Sequence, residues 1–323
     1  ELPDSLADKI GLVASLMSHS KSSNTTKGYY SAFMRWKKWA TSNQISERQC
    51  LPAKAIHVAI YLSSLVQNSQ TPSPITQAFY GIRWAHSLIS EPSPTDSELV
   101  RNVFEGAKRK LAHSLHKKEP ITPLLLEKMF DSLYVENNLY NQRIICACLL
   151  SYSGFLRCSE LLNLKTSDII FHFSHMSIFI EKSKTDIYRD GNWLLIARTG
   201  TKLCPVVNLE KYFKFGNLDH SDLYLFRNII KYAKGYIFRS SNSPMSYSRM
   251  RELFICAFSP FVSDIAKYGL HSLRAGGATS AANSGVPDRL FKRHGRWRSE
   301  TAKDGYIKDL FDERLFVSKN LGI

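Results

Sequence analysis

A set of side chains suited to phosphate chemistry occupies one C-terminal stretch of the sequence. The set comprises an imidazole, a guanidinium, an indole and a phenol, in the order His271, Arg274, Trp297 and Tyr306. A second guanidinium, Arg157, lies upstream. A phosphodiester resists attack because its anionic oxygens repel the nucleophile, and fixed cations can neutralise the charge that builds up in the transition state. The ordered set therefore indicates attack of a phenol oxygen on a phosphodiester.

Each of these residues has a candidate role. Arginine presents a planar fork that matches two phosphate oxygens and stays charged, so Arg157 and Arg274 are candidates for binding the nonbridging oxygens. Tyr306 is the candidate nucleophile; a phenol with a pKa near about 10 needs nearby cations and a proton acceptor to react. His271 is three residues from Arg274, on one helix face, and is a candidate to accept or shuttle a proton. Taken singly, each arginine could instead be exposed or in a structural ion pair, and the tyrosine could be a core residue.

The leaving oxygen of the phosphodiester needs a proton. Lys184 lies in a predicted turn between two strands, and a lysine can act as a general acid when neighbouring cations lower its pKa. Lys182 is a competitor because residues two apart in a strand face the same side. Glu160 follows Arg157 by three positions and either orients a cation of the site or forms a core salt bridge.

Composition bounds the function. A hydrophobic fraction of 44% over 323 residues predicts a folded protein with a sizeable core. The formal net charge of +15 indicates a polyanionic partner, first nucleic acid and second an acidic membrane surface, although a merely soluble basic protein is the alternative. No apolar run reaches the roughly 20 residues needed to span a bilayer, so no membrane partner is expected. Because the chain begins at Glu1, we expect a fragment of a longer protein.

The cysteines predict no metal or cofactor site. Six cysteines are scattered, mostly through apolar segments, which is typical of reduced core residues. Cys146 and Cys148 form a close pair, but no second pair stands at metal-ligand spacing. We therefore expect neither a metal nor a cofactor.

The chain is predicted to be mainly α with a small antiparallel β-sheet, in two domains. Residues 1–113 are predicted as a helical N-terminal domain, 114–122 as an exposed linker and 123–323 as an α+β domain. In the first domain, aromatic residues recur every three or four positions on one helix face: Tyr29, Phe33, Trp36 and Trp39.

The predicted elements of the second domain are helices at both ends and strands between them. The helices cover residues 124–133, 142–151, 205–215, 247–258, 272–283, 287–294 and 300–308, with a tail helix over 310–321. The strands cover residues 168–171, 176–180 and 192–197. Residues 224–239 receive no assignment.

Basic residues cluster where the first domain meets the linker. The cluster contains Arg101, Lys108, Arg109, Lys110, Lys117 and Lys118. Such residues could contact the DNA backbone, and a solvated helix face explains them equally well.

The catalytic pattern resembles the tyrosine recombinase (phage integrase) family, in a version similar to Cre and to recombinases of eukaryotic DIRS-like and Crypton-like mobile elements. The motifs are Gly-Phe-Leu-Arg-Cys-Ser-Glu-Leu at 154–161, Ser-Lys-Thr at 183–185, His-Ser-Leu-Arg at 271–274, Gly-Arg-Trp at 295–297 and Gly-Tyr at 305–306. Tyr306 follows Trp297 by nine positions, which is also the family spacing. The resemblance covers roughly residues 123–320, and the N-terminal region resembles the helical core-binding domain by pattern only.

The resemblance implies a site-specific recombinase that works through a 3′-phosphotyrosyl intermediate on double-stranded DNA, as a tetramer on two sites. It favours Lys184 over Lys182 as the general acid, because Ser-Lys-Thr is similar to the lysine motif of the family. Trp297 stands where many members carry histidine, and its indole N–H can donate one hydrogen bond. His294 lies close in sequence and could compensate. The tail helix could dock on a neighbouring protomer or fold back within its own chain.

Two other functions fit the same residues. A type IB topoisomerase uses similar groups to nick and reseal one strand, and it works as a monomer. A DNA-binding protein derived from a mobile element would bind DNA without cleaving it. Localisation follows the genome: the nucleus if the source is eukaryotic, and the cytoplasm or nucleoid otherwise.

Overall fold

The computed structural model describes residues 12, 15–17, 20–114, 117–181, 191–233, 235–309 and 311–322. It divides the chain into two compact units, Glu1–His116 and Lys117–Ile323. Within the described residues the chain is mostly helical, with small antiparallel sheets, as predicted. None of the described helices is both long and apolar enough to cross a membrane.

The first unit consists of helices joined by short loops. The described helices are α1 (Ser23–Ser42), α2 (Ala55–Gln67), α3 (Ser73–Leu88) and α4 (Glu98–Lys110). Ser22 caps α1 through a hydrogen bond from the backbone N–H of Thr25. The predicted aromatic face lies on α1, where Trp36 is fully buried and donates its indole N–H to the carbonyl of Cys50 at 3.0 Å. This face forms the core of the unit together with α2, α3 and α4.

The second unit contains the remaining helices and both small sheets. The helices are α5 (Pro123–Leu133), α6 (Leu139–Ser153), α7 (Cys158–Leu162), α8 (Pro205–Gly216), α9 (Tyr247–Phe258), α10 (His271–Asn283), α11 (Asp288–Gly295), α12 (Glu300–Asp304) and α13 (Phe311–Lys319). The strands are β1 (Ile169–Phe171), β2 (His175–Ile180), β3 (Asn192–Ala197), β4 (Ile229–Tyr232) and β5 (Gly235–Phe238). Strands β1, β2 and β3 form one antiparallel sheet in that order, and β4 pairs with β5 in a separate hairpin.

Helix α6 runs through the core of the second unit, and α10 packs closely against it. Two glycines on α10 permit this approach: a Cβ on Gly276 would lie 2.0 Å from the carbonyl oxygen of Ile121, and a Cβ on Gly277 would lie 2.0 Å from that of Tyr152. Ile121 is itself fully buried, and its backbone N–H donates to the carbonyl of Ser272 at 2.9 Å. Residues 117–122, which we predicted as part of an exposed linker, thus belong to the second unit.

The structure differs from the predicted elements chiefly in three places. Residues 158–162, for which no element was predicted, form α7. Residues 224–239, left unassigned, contain the β4–β5 hairpin. The helix predicted over 300–308 ends at Asp304, so Tyr306 lies in the turn that follows α12 rather than on a helix. All six cysteines are unpaired; Cys50, Cys146, Cys148 and Cys204 are buried, whereas Cys256 is exposed.

Candidate active site

Arg274 is the centre of the predicted cluster. It lies in the first turn of α10 with a completely buried side chain. Its guanidinium donates to the carbonyl of Phe155 and, at 2.8 Å, to that of Gly295, while its Nε makes no hydrogen bond with the described residues. The guanidinium carbon lies 4.9 Å from the ring centroid of Trp297 and 4.8 Å from that of Tyr306. The candidate nucleophile therefore stands beside a fixed cation.

Burial, together with the nearby Arg157 cation, lowers the pKa of Arg274 to about 10. A guanidinium with this pKa is still protonated at neutral pH. The site thus retains the positive charge of Arg274 in surroundings where water cannot screen it, which strengthens its attraction for an anion.

Arg157 is held by the local structure around α7. It is the residue before the helix, and its backbone N–H donates to Oε2 of Glu160 at 2.9 Å. Its Nη1 also donates to Oε1 of the same carboxylate at 2.5 Å. The side chain of Arg157 is 13% exposed, whereas that of Glu160 is 2% exposed. The Arg157 guanidinium is therefore bonded to Glu160 on one side and partly accessible to a ligand on the other.

Glu160 is shared by three guanidinium groups. Besides Arg157, it accepts from Arg296 at 2.9 Å and lies 3.9 Å from Nη1 of Arg274. Burial by itself raises the pKa of the Glu160 carboxyl, but the charges of Arg296 and Arg157 and the backbone N–H of Arg157 outweigh it and hold the pKa below its usual value. Glu160 thus forms buried salt bridges with Arg157 and Arg296.

Trp297 and Tyr306 form an aromatic pair at the other side of Arg274. Their ring centroids are 5.6 Å apart, and the Trp297 ring also packs on Phe291 at 5.1 Å. The indole Nε1 of Trp297 is buried and makes no hydrogen bond with the described residues. A buried donor without a partner is uncommon, and one in this position can donate to a ligand oxygen.

The backbone of the Tyr306 segment is held by Thr279 of α10. The Thr279 hydroxyl donates to the carbonyl of Tyr306 at 3.4 Å and accepts from the N–H of Lys308 at 3.1 Å. These bonds replace the helical pairing that Lys308 would make with Asp304, which explains why α12 ends earlier than predicted. The turn leaves the Tyr306 side chain half-buried, packed against the small cluster that contains Phe291 and Trp297.

The two histidines differ in their surroundings. His271 begins α10 and is exposed. His294 has its Nε2 2.8 Å from the carbonyl of Ser153, and its ring packs edge-on against Phe155 at 4.7 Å. Burial lowers the pKa of His294, so the neutral imidazole that donates from Nε2 is favoured. Because this nitrogen is engaged by the backbone, His294 packs against Phe155 and does not offer its Nε2 to a ligand.

The remaining predicted site residues are two lysines and the basic cluster. Lys184 and Lys182 lie outside the described residues, in the segment that connects β2 to β3. In the first unit, α4 carries Arg101, Lys108, Arg109 and Lys110. Arg101 pairs with Asp96 at 3.2 Å and Lys108 pairs with Glu105 at 3.0 Å. In the second unit, Lys117 and Lys118 are exposed, and Lys118 donates to the carbonyl of Ala266.

Two residues that the structure places beside the site, Arg296 and Thr279, have no role predicted from the sequence. Arg296 was visible within Gly-Arg-Trp, where its position next to Trp297 was the only signal. Thr279 lies on α10 five residues after Arg274 and had no distinguishing signal. No group of three or more metal-ligating side chains occurs among the described residues.

The second unit has the fold of the tyrosine recombinase catalytic domain, with its helices and small antiparallel sheets. The XerH site-specific recombinase bound to palindromic difH substrate is 15% identical, with a TM-score of 0.57 over 90% of this chain and 76% of that chain. A lambda integrase dimer bound to a COC′ core site is 14% identical, with a TM-score of 0.54 over 96% of each chain. At these identities the likeness shows the fold.

A sequence relative points to the same class. The integrase/recombinase xerD homolog of Selenomonas ruminantium is 24% identical over 295 residues, which cover 90% of this chain and 82% of that protein. No protein-family profile matches the chain. The chain is thus similar in sequence to an integrase/recombinase and similar in fold to solved tyrosine recombinases.

Proposed function

We propose that this protein is a site-specific DNA recombinase that cleaves and rejoins duplex DNA through Tyr306. The observation that carries the proposal is the position of the buried Arg274 guanidinium, within 5 Å of both the Tyr306 and the Trp297 rings and linked through Glu160 to Arg157. A tyrosine, two guanidiniums and an unpaired indole donor form a site for a phosphodiester. The relatives' names, integrase and site-specific recombinase, agree with this activity.

In the proposed reaction the phenol oxygen of Tyr306 forms a bond to phosphorus, and the bond between phosphorus and the 5′ oxygen breaks. Arg157 and Arg274 neutralise the nonbridging oxygens, and Trp297 donates its N–H to one of them. The phenol proton passes to His271, and the leaving oxygen takes a proton from Lys184, a role assigned from the sequence. The phosphotyrosyl bond conserves the energy of the diester, so rejoining needs no nucleotide cofactor.

The partner in this proposal is double-stranded DNA. A net charge of +15 favours binding through phosphates, and such binding weakens as salt rises. Exchange between two DNA sites requires four protomers, so we propose a tetramer on DNA. We further propose a role in integration or excision of a mobile element, which rests on the resemblance of the catalytic motifs to those of mobile-element recombinases.

Covalent trapping tests the proposed activity. The protein is incubated with a pool of nicked duplexes and is then denatured in detergent. Cleavage close to a nick releases a short strand, so the strand cannot be rejoined and the covalent complex accumulates. We expect a protein–DNA adduct that Tyr306→Phe abolishes and Tyr247→Phe preserves; Tyr247 is an exposed tyrosine of α9 in the same unit and serves as the matched control.

The outcomes separate the proposal from its alternatives. Binding of a duplex without any adduct from that duplex would contradict the enzyme and support a DNA-binding protein. An adduct from a monomer that relaxes supercoiled DNA, without exchange of strands between two duplexes, would support a topoisomerase.

A further inference from the structure

Arg296 is a buried arginine at the edge of the candidate site with no role in the reaction described above. Its side chain is 5% exposed. Nη2 donates to Oε2 of Glu160 at 2.9 Å and to the carbonyl of Phe155 at 3.2 Å. Nη1 donates to the carbonyls of His294 at 2.9 Å and Gly154 at 3.2 Å. One guanidinium thus joins the end of α11, the loop after α6 and the carboxylate of α7.

The backbone of Arg296 is unusual for an arginine. It follows α11 with φ of 56°, in the left-handed region that glycine adopts most easily. The N–H of Trp297 donates to the carbonyl of Lys292, and the N–H of Arg296 to that of Arg293. This closing turn directs Trp297 back toward Arg274, and glycine would form it with less strain. An arginine at this position thus strains the backbone more than a glycine would. This cost indicates that the guanidinium group has a role of its own.

The charges around Glu160 indicate the role of the Arg296 guanidinium. Without Arg296, the Glu160 carboxylate would face only Arg157 and, at 3.9 Å, Arg274, which are the two cations that should face a phosphate. Arg296 supplies a further cation to the same carboxylate at 2.9 Å, on Oε2, while Arg157 contacts Oε1 at 2.5 Å. The carboxylate charge is thereby shared, and Arg157 keeps more of its positive charge for a ligand.

The loop between α6 and α7 is fixed by the same contacts. Phe155 has φ of 45°, and its carbonyl accepts from both Arg296 and Arg274. The carbonyl of Gly154 also accepts from Arg296. Arg157 follows this loop directly. Hydrogen bonds that hold the two loop carbonyls in place therefore also hold the backbone position of Arg157.

We infer that Arg296 is a positioning residue of the active site: by bridging Glu160 and the loop carbonyls of Gly154 and Phe155, it keeps Arg157 directed at the scissile phosphate and supplies a countercharge for Glu160 that does not itself face the phosphate. The inference rests on the proposed function. Arg296 acts through Glu160 and the loop and does not touch the DNA.

The test compares the rate of cleavage with DNA affinity in three variants. Arg296→Gln removes the charge but keeps an amide donor, Arg296→Lys keeps the charge but loses the fork, and Arg251→Ala removes an exposed arginine of α9 as the matched control. Single-turnover formation of the covalent adduct is measured at saturating nicked duplex, and the dissociation constant is measured with Tyr306→Phe in each background.

We expect Arg296→Gln to slow adduct formation about 100-fold, and Arg296→Lys about 10-fold, with dissociation constants within about two-fold of the parent. Arg251→Ala should leave the rate at saturation unchanged. Because Arg296 acts through Glu160, the double variant Glu160→Gln with Arg296→Gln should be no slower than the slower of its two single variants.

Three results would overturn the inference: an unchanged rate in Arg296→Gln, a loss confined to DNA affinity, or multiplied losses in the double variant. If Arg296→Gln does not fold, Arg296→Lys decides, and a wild-type rate in that variant contradicts the inference. A wild-type protein that forms no adduct would instead contradict the proposed function, so the two failures are distinguishable.

Discussion

Replacing Trp297 by phenylalanine should slow DNA cleavage while leaving the stability of the protein almost unchanged. The indole Nε1 is buried without a hydrogen bond to the described residues, so it contributes little to the folded protein in the absence of DNA. Phenylalanine retains an aromatic ring beside Phe291, Tyr306 and Arg274 but has no N–H to offer a phosphate.

The expected change in stability is the difference of two opposing effects. The smaller ring loses buried contact and leaves a gap of roughly 40 Å³, which together cost about 1–2 kcal/mol. Removing a buried donor that has no partner returns about 1–3 kcal/mol. The free energy of unfolding of Trp297→Phe should therefore lie within about 1 kcal/mol of the wild-type value, far from the loss of about 3–5 kcal/mol typical of Trp→Ala in a core.

The expected change in rate is larger. A donor aimed at an oxygen that gains charge in the transition state contributes about 100-fold to 1,000-fold in rate. Single-turnover adduct formation at saturating DNA measures the rate, and urea unfolding followed by circular dichroism measures stability. Trp193→Phe, at an exposed tryptophan of β3, is the control. A wild-type cleavage rate in Trp297→Phe, or a loss of stability above about 3 kcal/mol, would refute the reasoning.

Three further predictions concern the support of the site, its pH dependence and DNA binding. Lys303 of α12 is bonded to Asp288 of α11 and, at 2.6 Å, to Glu300, and its own side chain is 10% exposed. Lys303→Met should slow adduct formation about tenfold, because the Tyr306 segment loses this anchor. An unchanged rate would contradict it. Burial lowers the pKa of His294 below its value in the unfolded chain, which is about 6.5. The contribution of neutral His294 to the free energy of unfolding is therefore fully present above about pH 6.5 and is lost as the pH falls toward the folded pKa. In urea titrations His294→Gln should therefore lose less stability than wild type between about pH 7 and 5, and parallel curves would contradict this. The affinity for duplex, measured by fluorescence anisotropy, should fall about 1,000-fold or more between about 50 and 200 mM salt, whereas a flat dependence would exclude binding through phosphates.

Elements with local signals could be predicted from the sequence. Helix α9 and strand β3 occupy the residues predicted for them, because turn residues bound each apolar pattern. Thr122 caps α5 and is followed by Pro123, a pair that marks a helix start. The order and spacing of Arg157, Arg274 and Tyr306 likewise indicated a site before any geometry was known.

Features that depend on distant partners could not be predicted. Helix α12 ends early because Thr279 captures the backbone at Lys308. Arg296 gains its place in the site from Glu160, which lies 136 residues away in sequence. The β4–β5 hairpin lacks a clear apolar alternation, since most of its residues are partly or fully exposed. In each case tertiary contacts, rather than local propensity, decide the outcome.

The most direct test of the central claim is to map the residue that carries the DNA. The adduct trapped on nicked duplex is digested with trypsin and nuclease, and mass spectrometry identifies the modified peptide. The account predicts a nucleotide linked through its 3′ phosphate to Tyr306. An adduct on any other residue, or none from a duplex that the protein binds, would contradict it.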